Sequence, residues 1–377
     1  MGVFLFENNA CNGILYASMA LLTKTHHSVA CMLDDRFIRF FHVSKTGKKV
    51  VLENFFSERI PDELFDDRNV LKQDRLLVKR LQETRKKYGF SKIHLVIPDR
   101  YVTVFHTVVP RSVFGSGSQK SLQQTIERYL EKLLISHVEF SESDMISDYE
   151  VIGETAEGYD IHVSVARPEQ FKYIPELLEA AGFIVDHVDI ASFAIHKLAK
   201  HITKGSVYGT ISIGSHSTHI SMVQDGKVIA SSWCQVGSDD LVKVVETTLK
   251  INRSEAERII HQYGILHIHP DKEVLSGLLT ALRPVVESIN QVQVACSPTH
   301  YQHPFYHTSD HQFYMYGIGA AISGVAQYLG IKTNSSVRPI DIIPTEFLDE
   351  EVIVQIPVEV LPLYLPVMST AVNYLAE

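Results

Sequence analysis

Cysteine is scarce in this 377-residue chain: Cys11, Cys31, Cys234 and Cys296 are the four present. Their spacing gives no disulfide framework, which fits a reducing compartment and buried or incidental thiols. Excess positive charge is also missing. With 35 Lys and Arg against 44 Asp and Glu the net charge is −9, so no basic field points to nucleic acid. The basic run Lys79–Lys87, with Arg80, Arg85 and Lys86, is relieved by Glu83 and reads as a solvated helix face. No stretch reaches the roughly 18–20 uninterrupted apolar residues that a membrane-spanning helix needs. The apolar segment Val3–Leu22 is broken by Glu7, Asn8, Asn9 and Asn12, and no Lys or Arg precedes it as in a signal peptide. Its Phe4 and Phe6 suit at most a peripheral membrane contact, and Met19 is an alternative start. GxSxG, Walker A and HExxH patterns are all absent, as is any repeat of about 20–50 residues.

What is present is an ordinary globular balance, 45% hydrophobic and 21% charged, in a chain long enough for two or more cores. Val29–Leu33, Phe37–Val43 and Lys49–Phe55 read as strands separated by polar turns. Asp66–Tyr88 has helical spacing, and Lys92–Ile97 is a short strand. From Arg100 the texture changes. Strand Tyr101–Val109, helix Leu122–Leu134, strands Ser147–Gly153 and Tyr159–Ala166, helix Pro168–Ala181 and strand Phe183–Asp189 suggest a compact α+β subdomain. A hairpin over Ser206–Val223 and a strand Gly226–Ser232 open the third block. Helices follow at Asp239–Leu249 and Arg253–Tyr263, the latter between Asn252 and Gly264. A helical stretch at Asp271–Gln291 should break at Pro284, and Gly317–Leu329 reads as a further helix. Beyond Val337 the tail is proline-rich with short β-branched runs.

One cluster invites a metal reading: Cys296, His300, His303, His307 and His311, with His267 and His269 upstream. Pro298 and Pro304 interrupt any shared helical face and no second Cys pair completes a site, so loop histidines are expected and no metal.

Several segments resemble the PilM family and its cell-division relative FtsA. Lys92–Ile97 followed by Pro98-Asp99-Arg100-Tyr101-Val102 looks like the approach to that family's extra subdomain, and Ser147–Glu154 ("SDYEVIGE") like its "DYxVIG" strand. Val163–Leu198 resembles its strand ending in Ala-Arg, helix, Ala-Gly break and returning strand. Ile211–Leu241 resembles the second phosphate loop and hairpin, and Ile251–Gly264 the "SxxEAExxK" helix. The resemblance spans roughly residues 28–330 and implies an α/β, two-lobed actin-like (ribonuclease H-like) ATPase fold with an inserted α+β subdomain. The expected division is an appendage at 1–28, the first part of lobe 1 at 29–99, the insertion at 100–190, lobe 2 with the lobe 1 return at 191–330, and a tail at 331–377.

By that resemblance ATP and magnesium would sit between two glycine-bearing phosphate loops, each with an Asp, above a glycine-rich adenine loop. Here the second loop keeps Gly214, Ser215, His216, Ser217 and Thr218, but Ser212 replaces its Asp. The first corresponds to Cys31–Arg36, which has no glycine and presents Asp34 and Asp35. Two carboxylates would repel a phosphate unless a cation intervened. No "GGG" adenine loop is found, and Val292–His300 near that position has no glycine, while Glu257 and Arg258 match positions that reach ribose and base. Hydrolysis, binding without turnover and a vestigial cleft all stay open, and no catalytic residue is assigned.

In the tail, Arg338–Phe347 ("RPIDIIPTEF") resembles the "INLLP"-type segment with which the membrane partner PilN docks onto PilM. Ile340, Ile342 and Pro344 would point one way, and Asp341 and Ile343 the other, if the segment were a strand. The function implied is a cytoplasmic scaffold on the inner face of the membrane, binding a PilN-like peptide and pilus or secretion components, with self-association through the tail and no nucleic acid. The rival is a sugar-kinase-like phosphotransferase or active ATPase of the same superfold. The glycine-free first loop argues against it.

Overall fold

The computed structural model describes residues 25–34, 37–61, 64, 75–114, 122–137, 146–166, 171–203, 207–265, 272–296, 312–341, 343–345 and 347–376. Residues 1–24 of the expected appendage, residues 66–74 of the first helix, His267, His269 and the histidines between 297 and 311 lie outside them, while the last residues of the expected appendage open the first strand. The chain opens with a meander of β1 (His26–Leu33), β2 (Phe37–Thr46) and β3 (Lys49–Arg59), rich in β-branched and aromatic residues. Gly47, at φ 62°, turns β2 into β3. Helix α1 (Arg75–Tyr88) leads to β4 (Lys92–Ile97). Then come β5 (Val102–Pro110), α2 (Leu122–His137), β6 (Ile146–Glu154), β7 (Gly158–Ala166), α3 (Tyr173–Ala180), β8 (Ile184–Ile190) and α4 (Ala191–Ile202).

The second half begins with β9 (Val207–Ile213), β10 (Thr218–Gln224) and β11 (Lys227–Cys234). Asp225 and Gly226 between the last two have φ of 50° and 80°, the positive values of a tight hairpin turn. Helices α5 (Ser238–Leu249) and α6 (Arg253–Tyr263) follow. Asn252 caps α6, its side chain accepting from the Glu255 amide at 2.9 Å. The expected long helix is two, α7 (Lys272–Ala281) and α8 (Arg283–Ala295), and Pro284 sits harmlessly in the first turn of α8. The chain ends through β12 (Gln312–Tyr316), α9 (Val325–Thr333), β13 (Ser336–Pro339), α10 (Glu350–Ile353) and α11 (Leu361–Ala376). The helix expected from Gly317 therefore starts only at Val325, because Gly324 at φ 88° separates it from a short 3-10 turn at Ile318–Ala321.

Among the described residues three sheets form, ordered β3-β2-β1-β4-β8, β11-β10-β9-β12-β13 and β5-β7-β6. The strand expected at Phe183–Asp189 to close the inserted subdomain does something else. As β8 it runs parallel to β4, from Lys92 opposite Ile184 to Ile97 opposite Ile190, and so belongs to the first sheet. A parallel pair needs a long crossover, and here the inserted sheet and α3 supply it. The inserted sheet packs Val109, Ile161, Val163 and Val165 against Ile126 and Leu130 of α2.

Consecutive aromatics split the two faces of the first sheet. Phe40 stacks with Phe56 at 4.9 Å and meets Phe90 and Phe183, whereas Phe41 meets Phe55, which abuts Tyr364 of α11 edge-on at 5.2 Å. β12 is apolar on both faces. Phe313 and Met315 enter the second core, while Tyr314 and Tyr316 enter the first. The two-residue strand period thus makes β12 a wall common to both lobes. The C-terminal helix α11 returns to the first sheet, with Leu365, Val367, Met368 and Ala371 in the first core.

Candidate functional site

The cleft between the lobes is walled by the turn after β1, the turn after β9, the end of β4 and the segment after β12. Its lining includes Asp34, Arg39, Asp99, Gly214, Ser217 and Gly317. The space is about 60 Å³, enough for a few waters. Nucleotide-sized ligands occupy pockets of roughly 300–1,000 Å³.

Asp34 of the first loop is matched by a cation from the same hairpin. Arg39 projects from β2, is almost fully buried, and forms an ion pair with Asp34, whose other oxygen accepts from the Phe37 amide at 3.0 Å. Burial pulls the Arg39 guanidinium down to about 10, so it is still charged at neutral pH. Beneath it, Asp99 at the end of β4 is also buried. It accepts from the Ser192 amide at 2.9 Å and from the Tyr316 hydroxyl at 3.1 Å. Burial and this carboxylate push Tyr316 well above the usual tyrosine range. The hydroxyl of Ser212, the residue in place of the expected Asp, also bonds to Tyr316. A polar chain Ser212–Tyr316–Asp99 therefore crosses between the lobes.

Of the five second-loop residues, Gly214 and Ser217 face the cleft. The Gly214 amide is spent within the turn, donating to the Ser217 carbonyl at 2.9 Å. The carbonyls of Gly214 and Ser215 receive the Ser238 and Asp239 amides, each at 2.9 Å, tying the loop to the start of α5. Thr218 is a structural residue, its hydroxyl donating to the Val236 carbonyl at 2.7 Å. The Ser215 hydroxyl is buried without a partner. His216 lies 3.5 Å from Asp239, which accepts from Arg253 at 2.6 Å. Arg253 also binds Glu257 at 2.9 Å, and Glu257 lies 3.8 Å from Arg59 at the end of β3. Burial opposes its charge, yet Asp239 and Glu257 hold Arg253 above its usual value. Glu257 thus serves an interlobe ion network, while Arg258 turns to Gln262 at 3.0 Å. Neither lines the cleft.

A glycine turn does occupy the far wall, though not at Val292–His300. Gly317 and Gly319 follow β12, and a Cβ on Gly317, at φ 85°, would stand 2.7 Å from the Ile213 carbonyl oxygen. The Gly317 amide donates to the Pro362 carbonyl at 3.0 Å. That carbonyl is available because Pro366, four residues on in α11, has no amide proton to give it.

A second and larger space, 570 Å³, lies between the inserted sheet and the first lobe. Ile146, Tyr149 and Ser164 form one side, and Val188, Phe193 and Lys197 the other. β6 and β8 are outer strands of their sheets among the described residues, so each presents an edge of backbone donors and acceptors. Ile146 is 49% and Val188 55% exposed, high for apolar side chains beside a groove.

The tail segment is built into the fold. The Ile340 amide donates to the Met315 carbonyl at 2.9 Å, extending β13, and Ile340 and Ile343 are both buried in the first core. Asp341 is exposed, Pro344 is partly buried, and Ile342 lies outside the described residues. The expected alternation, with Ile340 and Ile343 on opposite sides, does not hold, because the strand ends at Pro339 and the chain turns back toward lobe 1. A segment whose Ile340 and Ile343 fill its own core is not a free docking peptide.

The sequence profile of type IV pilus assembly protein PilM matches residues 33–351. The chain belongs to the PilM family. No curated protein matches it by sequence. Among solved structures, the PilM-PilN type IV pilus biogenesis complex is similar over 92% of this chain and 98% of that one, at 15% identity and a TM-score of 0.71. The ethanolamine utilization protein EutJ from Carboxydothermus hydrogenoformans is similar over 94% and 93%, at 12% identity and a TM-score of 0.50. MreB5 of Spiroplasma citri bound to ADP is similar over 92% and 95%, at 10% identity and a TM-score of 0.50. These likenesses establish the actin-like fold. Among the described residues no helix is long and apolar enough to cross a membrane.

For a PilM-family chain, the informative residues missing from a reading of the sequence are Arg39, Asp99 and Tyr316. Asp99 and Tyr316 have partners far along the chain, and Arg39 folds back on Asp34 across the turn between β1 and β2, so no motif marks them. Gly317-Ile318-Gly319 after the aromatic run of β12 was the one legible signal, and helical small-residue spacing masks it.

Proposed function

We propose that this chain is a scaffold of a type IV pilus or related secretion assembly machine, binding a short extended peptide of an inner-membrane PilN-like partner in the groove between the inserted sheet and the first lobe. The observation that carries this reading is the 570 Å³ groove bordered by two strand edges and exposed Ile146 and Val188. Such edges suit an added strand, whose main-chain bonds give affinity and whose alternate side chains give specificity. The class of partner is supported by the likeness to a PilM that was solved together with PilN. Placement at the inner face of the cytoplasmic membrane then comes through that partner.

The interlobe cleft, in this proposal, is a brace and not an ATPase site. Arg39 holds Asp34 where a phosphate would need open backbone amides, and Ser212 stands where a magnesium-placing carboxylate is required. No observation favours the phosphotransferase reading.

The test is direct. A labelled "INLLP"-type peptide should bind the wild type saturably in fluorescence anisotropy. Val188→Asp should weaken binding at least about ten-fold, as the loss of an apolar anchor and a new charge imply. Ile331→Asp, at a 79% exposed site elsewhere, should not. Equal affinity in all three proteins would dismiss the groove. Separately, millimolar Mg-ATP should leave Tm within about 1 °C, since a ligand at 100 times its Kd would add about 2.7 kcal/mol. Phosphate release above background and abolished by Gly214→Asp would overturn the brace reading.

A further inference from the structure

The pairing of β4 with β8 contains an irregularity. Ile93 is opposite Val185 but His94 is opposite His187, so Asp186 is an extra residue bulged out of the ladder. A bulge lets successive side chains of one strand approach the same partner residue. Here it gathers His94, Asp186 and His187, and one potential ligand atom from each lies within 4.8 Å of the other two. The His187 Nε2 is already 3.4 Å from Asp186 Oδ2. An ion with ligands at roughly 2.0–2.1 Å in a tetrahedral shell separates them by about 3.3 Å, so small side-chain rotations complete the site.

Two further observations point to a missing ligand. His94 is only 9% exposed, and its Nδ1 is buried without a hydrogen-bond partner. A buried imidazole nitrogen is ordinarily satisfied. Asp186 also already holds a cation, the Lys92 ammonium at 2.8 Å, which is 66% exposed and free to swing away. Tyr374 of α11 stacks on both imidazoles, at 4.2 Å from His94 and 4.7 Å from His187, and fixes their planes.

We infer that His94, Asp186 and His187 form a binding site for a divalent transition metal, zinc by ligand type, with water completing the shell and Lys92 as the resident cation of the metal-free protein. Two imidazoles and one carboxylate suit zinc or cobalt over magnesium or calcium. The ion would clamp β8 to β4 one residue before Val188, where β8 becomes a wall of the peptide groove.

Cobalt is the probe, because tetrahedral Co²⁺ gives a visible absorption band. The full chain, stripped with chelator, should take up one equivalent with that band, and Zn²⁺ should displace it. His187→Ala and Asp186→Asn, both at accessible positions, should lose the band or bind at least ten-fold more weakly, while each still melts cooperatively in the absence of metal. Lys92→Ala should bind several-fold more tightly, because a competing cation is gone. A doubly substituted His303→Ala/His307→Ala chain should bind as the wild type does. No saturable uptake, or uptake that survives His187→Ala and disappears in the His303/His307 variant, would overturn the assignment. So would weaker binding in Lys92→Ala.

Discussion

Replacing Asp99 perturbs a point at which hydrogen bonds join the two lobes. Its carboxylate accepts one bond from the Ser192 amide within lobe 1 and one from the Tyr316 hydroxyl on the shared strand, at 2.9 and 3.1 Å. A hydrogen bond to a charged acceptor contributes about 1.5–3 kcal/mol, and a buried donor left without a partner costs a similar amount. Tyr316→Phe should therefore destabilise by about 1.5–3 kcal/mol, and Asp99→Ala by about 3–5 kcal/mol, because it orphans both donors. In the double variant the effects should fall short of their sum by about 1.5–3 kcal/mol, the coupling of the pair. Urea unfolding followed by both circular dichroism and intrinsic fluorescence gives these numbers, provided the two probes coincide. The bond should persist through mildly alkaline conditions, since burial and Asp99 keep Tyr316 protonated. A coupling below about 0.5 kcal/mol would show that the contact is incidental to how the lobes are held together.

Gly317→Ala should lower stability by about 1–3 kcal/mol, since the residue has φ 85° and its Cβ would press on the Ile213 carbonyl; an unchanged urea midpoint would contradict this. Burial, followed by the neighbouring His27, lowers the pKa of His42, and burial lowers that of His261. Both native groups bind fewer protons than the unfolded chain, so stability should fall as pH drops below about 6.5 toward their folded values. The acid slope should shrink in His42→Phe; a slope unaltered by that change would remove His42 from the account. Finally, Val102 and Ala166 are cross-strand partners, so residues 103–165 can be replaced by a short Gly-Ser linker. The shortened chain should melt cooperatively yet lose the PilN-type peptide, and retained affinity would move the docking site elsewhere.

Strand-rich parts of the fold were legible because their chemistry is local. β1 to β4 alternate or run apolar between polar turns, and α6 carries both its Asn252 cap and its Gly264 stop. Elements whose logic is tertiary were not. Pro362 and Pro366 argue against a helix at 361–376, yet Pro362 falls in the first turn of α11, and the carbonyl left open by Pro366 is taken by Gly317 across the cleft. β8 reads as part of the insertion because nothing in its sequence names β4 as its neighbour. The cleft was half legible: missing glycines and the Ser212 substitution are visible along the chain. That Arg39 neutralises Asp34 and that Asp99 reaches Tyr316 depend on strand register.

The strand shared by the two cores has a mechanical consequence. Actin-like machines that cycle need their halves to swing apart on a compliant hinge. In this chain neighbouring residues of β12 are rooted on opposite sides, Phe313 and Met315 in one lobe and Tyr314 and Tyr316 in the other. Any swing would have to pull tyrosines from one interior or tear the strand from its own sheet, and close-packed interiors resist both. The slowest-exchanging amides should therefore include those of β12, and the two halves should lose their protection together. Such a body works as a rigid bracket. It presents the groove beside β8 at a fixed angle to the second lobe, so that force applied at one face reaches the other without being absorbed between them.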